Sequence, residues 1–430
     1  MILDLFYLAA AMLALPWVSW RKLSGRRPVA APWKRFTGVI DPLPVANAPR
    51  IWLHGVSVGE VQLLAGLAVE LRRQAEAAGR PIDCVISSST TTGLEVAAKR
   101  FGHERAFPCP LDFTWAVNRV LDRVRPDLVV LGELELWPNL LACVARRGIP
   151  IVVANARMSE RSAAGYARIA PLVRRMLGRV DAVVARSPDD AARFAALGAP
   201  RVSVAGSMKF DGVRGDREAV DVLRLRALAG FGADATVFLA GSTQAPEEQL
   251  ALQAFQACAE AHPQLRLVIV PRHVERAAEI AAPLDGSGFR WQQRSRLDAG
   301  GADPEARILL VDTTGELSAW WGTASIAFVG GSLDGKRGGQ NMLEPAAYGA
   351  AVCFGPHTRN FAREVETLLA AGAACVVTDG AALRAFVERC LADPSWGRAL
   401  GARAADTVAA HRGATATTAR LILERLTSTP

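Results

Sequence analysis

Short apolar runs alternate with longer helical stretches along most of this 430-residue chain, and this alternation is what most limits its fold. The runs are continuous in valine, isoleucine and leucine, which is typical of parallel strands covered on both faces. In the first half the predicted strands are residues 51–54, 84–87, 128–131, 149–154, 182–185 and 202–205. In the second half they are residues 237–240, 267–270, 308–311, 326–329, 352–354 and 375–377. Strands that alternate with helices predict doubly wound α/β folding.

Two halves with the same rhythm predict two similar Rossmann-like domains. We expect the first over residues 50–211 and the second over residues 236–430, with a polar, glycine-containing hinge at residues 212–235 between them. Two such domains would face each other across a cleft. Ligands would bind at the carboxyl ends of the strands.

The amino terminus carries an apolar run, residues 5–20, followed at once by the basic sequence RKLSGRR. A secretory signal has its basic residues before the apolar run, so this is not one. The run is slightly shorter than the roughly 20 residues that span a bilayer. A tilted span, a helix lying in the interface and a buried soluble helix all remain open. We expect residues 1–20 to be a membrane-anchor helix and residues 21–49 a basic connector, with the remaining chain at the cytoplasmic face of the inner membrane.

Cysteine and histidine usage limits the chemistry. The seven cysteines lack a C-x-x-C pair, the six histidines are dispersed, and no D-x-D triplet occurs. This composition favours reduced thiols and predicts neither a metal site nor a cofactor.

Basic residues are concentrated between residues 140 and 209. This stretch holds twelve Lys or Arg residues and four acidic residues. One interpretation is an ordinary solvated face, and the other is a surface for an anionic partner such as lipid headgroups or a phosphosugar. Nucleic acid is disfavoured, because aromatic residues are not interleaved with the arginines.

Polar residues follow many of the predicted strands, so one rim of each sheet should be rich in functional groups. In the first half these residues are His54, Ser57, Glu60, Glu133, Glu135, Asn155, Arg157 and Lys209. In the second half the corresponding segments are GSTQAPEE, Pro271-Arg272, DTTGEL and the glycine-rich stretch that ends in QNMLEP.

Glu60 has two possible roles. Ser57 to Glu60 reads S-x-x-E, the capping-box pattern that opens a helix. A group transfer to a hydroxyl also needs a general base, and Glu60, Glu133 and Glu135 are the candidates. The two roles are compatible, because a capping carboxylate can still face a cleft.

The second half offers anion sites. The turns at residues 313–316 and 338–344 open helices, whose free N–H groups can hold phosphate, although an ordinary glycine-rich helix entry explains them equally well. Arg272 could pair with that phosphate, and Glu344 could accept hydrogen bonds from vicinal hydroxyls. These residues predict metal-independent group transfer from a nucleotide-linked donor to a membrane acceptor.

The motifs also support a family resemblance. LHGVSVGE, ELWPNLL, NARMSERSAAGY, GSMKFD, GSTQAPEE, PRHVER, DTTGELSAWWG and GGQNMLEPAAYG occur in this order. In these motifs the chain resembles the 3-deoxy-D-manno-octulosonic acid (Kdo) transferases of lipopolysaccharide synthesis. The resemblance implies a GT-B glycosyltransferase that uses CMP-Kdo and modifies a lipid A precursor at the inner leaflet.

The resemblance also implies roles for particular residues. Glu60 would be the general base, and Glu133 or Glu135 would assist the transition state together with Lys209. The implied CMP-binding residues are Pro271, Arg272, Gly315, Glu316, Leu317, Asn341, Met342, Leu343 and Glu344. His54, Ser57 and Arg157 are weaker candidates for acceptor binding, and for His54 a role in orienting the loop is equally open.

The chain departs from the family pattern at Gln340 and Met342, where His and Pro are usual, and at Leu134, where Thr is common. Two other functions stay open. They are another metal-independent GT-B glycosyltransferase acting on a lipid, and a non-enzymatic membrane scaffold.

Overall fold

The structure is a computed structural model and describes residues 3–5, 7–9 and 31–427. The chain forms two compact units. The first comprises Met1–Gly212 together with Arg412–Pro430, and the second is Val213–His411.

The first unit is built on a parallel sheet that has seven strands within the described residues. Its strands are β1 Arg50–Gly55, β2 Asp83–Ser88, β3 Ala106–Pro108, β4 Leu128–Gly132, β5 Ile151–Ala156, β6 Ala182–Ala185 and β7 Val202–Val204. Their order is β3-β2-β1-β4-β5-β6-β7, so the direction of winding reverses between β1 and β4. Such a reversal opens a crevice at the carboxyl ends of the two strands, because the loops leave them toward opposite faces.

Helices cover both faces of this sheet. They are α1 Pro32–Thr37, α2 Val58–Ala77, α3 Thr91–Phe101, α4 Thr114–Val124, α5 Pro138–Arg146, α6 Glu160–Ala167, α7 Ala170–Leu177 and α8 Pro188–Ala196. Trp52 of β1 packs into one core cluster, and its neighbours Ile51 and Leu53 pack into another. All three side chains are 0% exposed, as the continuous apolar runs predicted.

The second unit repeats the plan. Its strands are β8 Thr236–Thr243, β9 Leu265–Pro271, β10 Trp291–Gln293, β11 Ile308–Leu310, β12 Ile326–Val329, β13 Ala351–Phe354 and β14 Cys375–Val376. They pair in parallel in the order β10-β11-β9-β8-β12-β13-β14, and the winding reverses between β8 and β12. The α/β class with two parallel sheets is therefore confirmed.

Helices precede, connect and follow the strands of the second unit along the chain. They are α9 Val220–Leu228, α10 Glu247–Ala259, α11 Ala277–Asp285, α12 Arg294–Gly300, α13 Leu317–Trp320, α14 Leu343–Ala347, α15 Ala362–Ala370, α16 Gly380–Ala392 and α17 Pro394–Ala410. Five 3-10 turns occur in the described part of the chain: His103–Arg105, Met208–Phe210, Val274–Arg276, Trp321–Thr323 and Arg359–Phe361.

The structure corrects the expected boundaries in two places. Residues 213–235, expected to be hinge, belong to the second unit and include helix α9. Residues 412–430, expected in the second domain, belong to the first unit, where helix α18 Ala414–Thr427 packs against α2. Sequence periodicity shows that such a helix has an apolar face, but not which surface covers it.

The start of the chain reaches the amino-terminal ends of two helices of the first unit. Asp4 is 5% exposed, and its carboxylate accepts hydrogen bonds from Thr114 N (2.8 Å), Thr114 Oγ1 (2.8 Å) and Asn139 Nδ2 (3.1 Å). The Tyr7 hydroxyl donates to Asp112 Oδ2 (3.1 Å), and Asp112 in turn accepts from Asn139 N (3.0 Å). The segment therefore caps α4 and supports the cap of α5.

Helix α4 does not cap itself. Phe113 stands at its cap position, where it makes no side-chain hydrogen bond to the helix. The Phe113 ring instead stacks on Trp115, with ring centroids 4.5 Å apart, and meets Tyr7 edge-on at 5.9 Å. The cap position is thus occupied by a core aromatic residue.

The predicted anchor helix over residues 1–20 and the start of the connector over residues 21–49 fall mainly on residues 10–30, outside the described residues. Within the described residues, no helix is both long enough and apolar enough to cross a bilayer. Residues 3–5 and 7–9 are helical.

We expect Ile422→Ala to lower the free energy of unfolding by about 2–5 kcal/mol, since deleting a buried aliphatic side chain leaves a cavity. Ile422 is 0% exposed and packs with Leu64 and Leu67 of α2. Chemical denaturation measures the change. Glu424→Ala is the control, because Glu424 lies on the exposed face of the same helix. Equal small losses in both variants would contradict the described packing of α18.

Candidate active site

Glu60 lies in the first turn of α2, directly after β1, and closes a capping box. Its backbone N–H donates to Ser57 Oγ (3.3 Å), and the Ser57 hydroxyl donates to Glu60 Oε1 (2.9 Å). Val56 N donates to the other carboxylate oxygen, Oε2 (2.7 Å). The predicted helix cap is therefore confirmed. Both carboxylate oxygens are held in fixed directions at the end of β1.

Two glycines make room for this carboxylate at the point where the sheet winding reverses. A Cβ on Gly55, at the end of β1, would lie 3.1 Å from the Glu60 Cβ. A Cβ on Gly132, at the end of β4, would lie 3.2 Å from the His54 carbonyl oxygen and 3.9 Å from Glu60 Oε2. The Glu60 side chain thus fits over the ends of β1 and β4 because both strands end in glycine.

Three carboxylates lie close enough to influence one another. Burial raises the pKa of the Glu60 carboxyl above its ordinary value; the hydrogen bonds from Val56 and Ser57 oppose this rise, and the charge of Glu133 adds to it. Burial also raises the pKa of Glu135, and the charges of Glu60 and Glu133 add to the effect. A carboxylate with a raised pKa is a stronger base. A general base also works best when its pKa lies near the pH of the reaction.

Glu133 and Asn155 both have left-handed backbone conformations, which non-glycine residues rarely adopt. Glu133 follows β4 with φ 55°, and Asn155 in β5 has φ 52° at an irregularity of the ladder between Val153 and Ala156. Bulges of this kind re-aim side chains near active sites. The irregularity lies at Asn155 alone, and the side chains of Glu133 and Asn155 both border the space at the ends of β4 and β5.

A small cavity lies between these residues. Its lining is formed by Glu60, Leu63, Leu64, Gly132, Glu133, Ala154, Asn155 and Met208. About 10 Å³ is open to the centre of a water molecule, which is room for one water or one hydroxyl group. Three polar residues, Glu60, Glu133 and Asn155, thus line the cavity together with aliphatic residues.

The other predicted residues of the first unit have differing surroundings. Lys209 is half-buried in the 3-10 turn Met208–Phe210, and Met208 N donates to Asn155 Oδ1 (3.2 Å). Trp137 Nε1 donates to Glu135 Oε2 (2.7 Å). Arg157 is exposed.

His54 is enclosed within the sheet. It is 0% exposed, and its Nδ1 lies 2.9 Å from Ser87 Oγ and 3.2 Å from Ser87 O. Burial lowers the pKa of His54 to about 4, so the ring is neutral at pH 7. Trp52 Nε1 donates to the same Ser87 Oγ (2.8 Å). These contacts favour the alternative in which His54 orients the end of β1.

In the second unit, the Glu247 carboxylate joins the two loops at the reversal between β8 and β12. It is 3% exposed and accepts four backbone N–H groups: Gln244 (2.9 Å), Gly331 (2.7 Å), Ser332 (3.0 Å) and Leu333 (3.2 Å). A Cβ on Gly330 would lie 2.6 Å from Glu247 Oε2, so this approach requires glycine. One buried carboxylate therefore fixes both loops where a nucleotide site is expected.

The predicted donor-side residues divide into exposed and structurally engaged groups. Arg272 is exposed, and its backbone N–H donates to Thr243 O (3.0 Å), next to Ser242, another left-handed residue with φ 53°. Gly315 is exposed with φ 90°. The Glu316 carboxylate is engaged in a fork with Arg294 (2.9 and 2.8 Å). Pro271 is buried at the end of β9, and Leu317, which opens α13, is half-buried.

The stretch around Asn341 is tied together by side-chain contacts. Asn341 Nδ2 donates to Glu344 Oε1 (3.0 Å), and Leu343 N donates to Asn341 Oδ1 (3.2 Å). Burial raises the pKa of Glu344. Met342 and Leu343 are 0% exposed, so their side chains serve the core, and a ligand would meet only their backbone.

Sequence reasoning named Asn155 at a strand end but gave it no role, and it did not single out Glu247. Both stood in motifs at strand ends, NARMSERS and GSTQAPEE, but neither motif showed which side chain turns inward. Their signal is structural: a backbone irregularity at Asn155 and a carboxylate opposite a glycine-rich loop at Glu247. Among the described residues, no group of three or more His, Cys, Asp or Glu side chains could hold a metal ion.

Comparison with known proteins gives consistent results. The family model described as 3-deoxy-D-manno-octulosonic-acid transferase (kdotransferase) matches residues 31–212. The 3-deoxy-D-manno-octulosonic acid transferase of Bordetella pertussis is 33% identical over 413 residues, covering 93% of this chain and 92% of its own length. The protein of the same name from Haemophilus influenzae is 33% identical over 368 residues, covering 85% of this chain and 84% of its own length.

A likeness in fold extends to a solved structure of low sequence identity. UDP-GlcNAc 2-epimerase from Neisseria meningitidis, bound to UDP-GlcNAc, matches with a TM-score of 0.56 and 13% identity, covering 88% of this chain and 99% of that one. This supports the expected GT-B type of fold. Because the curated relatives match over almost their whole length, the chain belongs to the 3-deoxy-D-manno-octulosonic acid transferase family.

Proposed function

We propose that this chain transfers Kdo from CMP-Kdo to a hydroxyl group of a lipid A precursor in lipopolysaccharide synthesis. Membership of the Kdo transferase family supports the transferred sugar. The observation that carries the mechanism is the carboxylate cluster at the reversal of the first sheet, where Glu60 is held by Val56 and Ser57.

Glu60 acts as the general base in this proposal. A sugar hydroxyl is a poor nucleophile at pH 7 and must lose its proton as it attacks. The raised pKa of Glu60 suits this task, because its carboxylate binds a proton more strongly than that of an ordinary glutamate. Glu133 or Glu135, together with Lys209, assists the transition state.

The donor binds to the second unit in this proposal. Arg272 pairs with the CMP phosphate, and the loops joined by Glu247 provide a fixed backbone next to it. Asn341 and Glu344, which are hydrogen-bonded to each other, accept and donate bonds to the nucleoside in this proposal. Gly315 and its neighbours complete the nucleotide site as the family resemblance implies.

The acceptor and the membrane meet the basic face of the first unit in this proposal. Arg157, Arg161 and Arg168 are exposed, and Ile169 (48%) and Leu172 (50%) are exposed beside them. Cations that flank apolar side chains suit a surface of anionic lipid. The amino terminus anchors the chain at the inner membrane, with both units on its cytoplasmic side.

The proposed reaction is tested by mass spectrometry of a tetraacyl lipid A precursor after incubation with the purified chain and CMP-Kdo. We expect a mass increase equal to one or more Kdo units, and we expect it to persist with EDTA present. Parallel incubations replace CMP-Kdo with UDP-hexosamines. A mass increase only with a UDP-sugar would favour the other glycosyltransferase function, and no increase with any donor would favour a scaffold.

We expect Glu60→Gln to lower turnover at least about a hundredfold, as removal of a general base typically does. Stability should hardly change, since glutamine is accepted at this position of a capping box. In the unchanged chain, activity should fall as the pH drops through the raised pKa of Glu60, so the acidic limb lies above the ordinary glutamate value.

Steady-state kinetics and thermal melting measure these effects. Asp379→Ala is the control, because it removes an ordinary helix cap, the bond from Ala382 N (2.8 Å), outside the predicted site. It should lower stability by about 1 kcal/mol without slowing turnover. If Glu60→Gln behaves like this control, Glu60 is only a cap.

Replacing Arg157, Arg161 and Arg168 together by Gln should raise the acceptor KM with little effect on the donor KM. Each basic residue near an anionic surface contributes about 1 kcal/mol, or about fivefold. The matched control replaces the exposed Arg80, Arg100 and Arg123, an equal change in charge. Sedimentation with membranes at low and high salt measures membrane binding. In the triple variant this binding should depend much less on salt than in the unchanged chain. Equal effects of both triple variants would show that these arginines are an ordinary solvated surface with no specific role in binding.

A further inference from the structure

Asn155 combines two unusual features in one buried residue. It is 2% exposed, and its φ of 52° lies in the left-handed region. It also occupies the irregularity in the pairing of β5 with β6, between Val153 and Ala156. Such backbone strain is retained where the surrounding structure or a function requires it.

The orientation of the Asn155 amide is fixed by a backbone group. Met208 N lies 3.2 Å from Asn155 Oδ1 and can only donate, so the atom that faces it must be the carbonyl oxygen. The amide nitrogen Nδ2 therefore occupies the other branch of the side chain. It is buried, and among the residues that the structure describes none accepts a hydrogen bond from it.

A buried donor without an acceptor is uncommon, and in native proteins it often marks a position that a ligand or water completes. Asn155 lines the small cavity together with Glu60 and Glu133. The cavity has room for one hydroxyl-sized group. The unsatisfied donor, the carboxylates and this limited space therefore occur in one place.

We propose that this cavity is the seat of the acceptor's reacting hydroxyl group, and that Asn155 Nδ2 donates a hydrogen bond to the oxygen of that hydroxyl while Glu60 accepts its proton. The hydroxyl of an alcohol matches this set of groups, because its oxygen can accept one hydrogen bond while its proton is donated in another. The aliphatic side chains of Leu64 and Met208 would contact the carbon that bears it. This inference rests on the proposed function.

The step balances with the groups named. The hydroxyl proton passes to Glu60, and an electron pair of the oxygen forms the new bond to the anomeric carbon of the donor. The bond from that carbon to the phosphate oxygen of the nucleotide breaks, and CMP leaves with the electron pair. Asn155 keeps its protons throughout. Its role is to fix the direction of the attacking oxygen.

Asn155→Asp tests this role with little change of shape. Aspartate tolerates the left-handed backbone and keeps an oxygen that accepts from Met208 N, but it replaces the donor by a negative oxygen. We expect kcat/KM for the acceptor to fall at least about thirtyfold, while the affinity for CMP, measured by calorimetry, stays within twofold. The added charge should also move the acidic limb of the pH profile to higher pH, because Glu60, Glu133 and Glu135 then share the site with a fourth carboxylate.

Asn155→Gly is the matched variant. Glycine removes the amide and adopts the same backbone without strain. It should lower kcat/KM for the acceptor by a similar factor without moving the acidic limb. A purely structural role predicts another result: lower melting temperatures and parallel losses for donor and acceptor. Acceptor kcat/KM within twofold of the unchanged chain in both variants would overturn the proposal.

The readouts separate this inference from the proposed function. The ratio of variant to unchanged turnover is measured with whichever nucleotide sugar the unchanged chain uses, so a donor other than CMP-Kdo would refute the proposed function alone. Equilibrium binding of the detergent-dispersed acceptor, measured without donor, supplies a second test. We expect it to weaken about tenfold in Asn155→Asp, and unchanged binding together with unchanged turnover would reject the hydroxyl site.

Discussion

The reversal of strand order in each parallel sheet is the constraint on which the rest of the structure depends. Chain connections between parallel strands cross over with one hand, so a sheet that grows first to one side and then to the other sends adjacent loops to opposite faces. In the first unit this occurs between β1 and β4, and in the second between β8 and β12. Glu60 and Glu133 follow the first pair, and Glu247 joins the loops after the second pair.

Buried carboxylates serve different ends in these two crevices. The two carboxylate oxygens of Glu247 accept hydrogen bonds from four backbone N–H groups. The side chain therefore holds loops in place. Glu60 also accepts a backbone N–H, but it remains half-buried beside a cavity. Burial raises the pKa of both carboxyls, so the cavity is what distinguishes Glu60. The same side-chain type thus holds two loops together in one crevice and lines an open space in the other.

Much of the fold followed from the sequence because the central strands are buried on both faces, which leaves continuous apolar runs. The edge strands β3 and β10 were missed, since their sequences, Ala-Phe-Pro and Trp-Gln-Gln, contain no run of valine, isoleucine or leucine. Glu60 could be predicted because a capping box after a strand has a recognisable spacing. Asn155 was named at a strand end, but its role could not be predicted, because neither its left-handed backbone nor its unsatisfied amide leaves a pattern in the residues. His54 remained open, since an all-buried strand does not show which way a polar side chain points.

The distant cap of α4 has a practical consequence for anyone who shortens this chain to handle it in water. Asp4 supplies the carboxylate for a helix that begins 110 residues later. Phe113, at the cap position, cannot take over, because its side chain has no hydrogen-bond acceptor. A chain cut after residue 20 would leave the Thr114 N–H and the Asn139 amide without that acceptor. Melting data from such a fragment would understate the strength of the intact first unit, and a poorly behaved fragment would say little about the native enzyme.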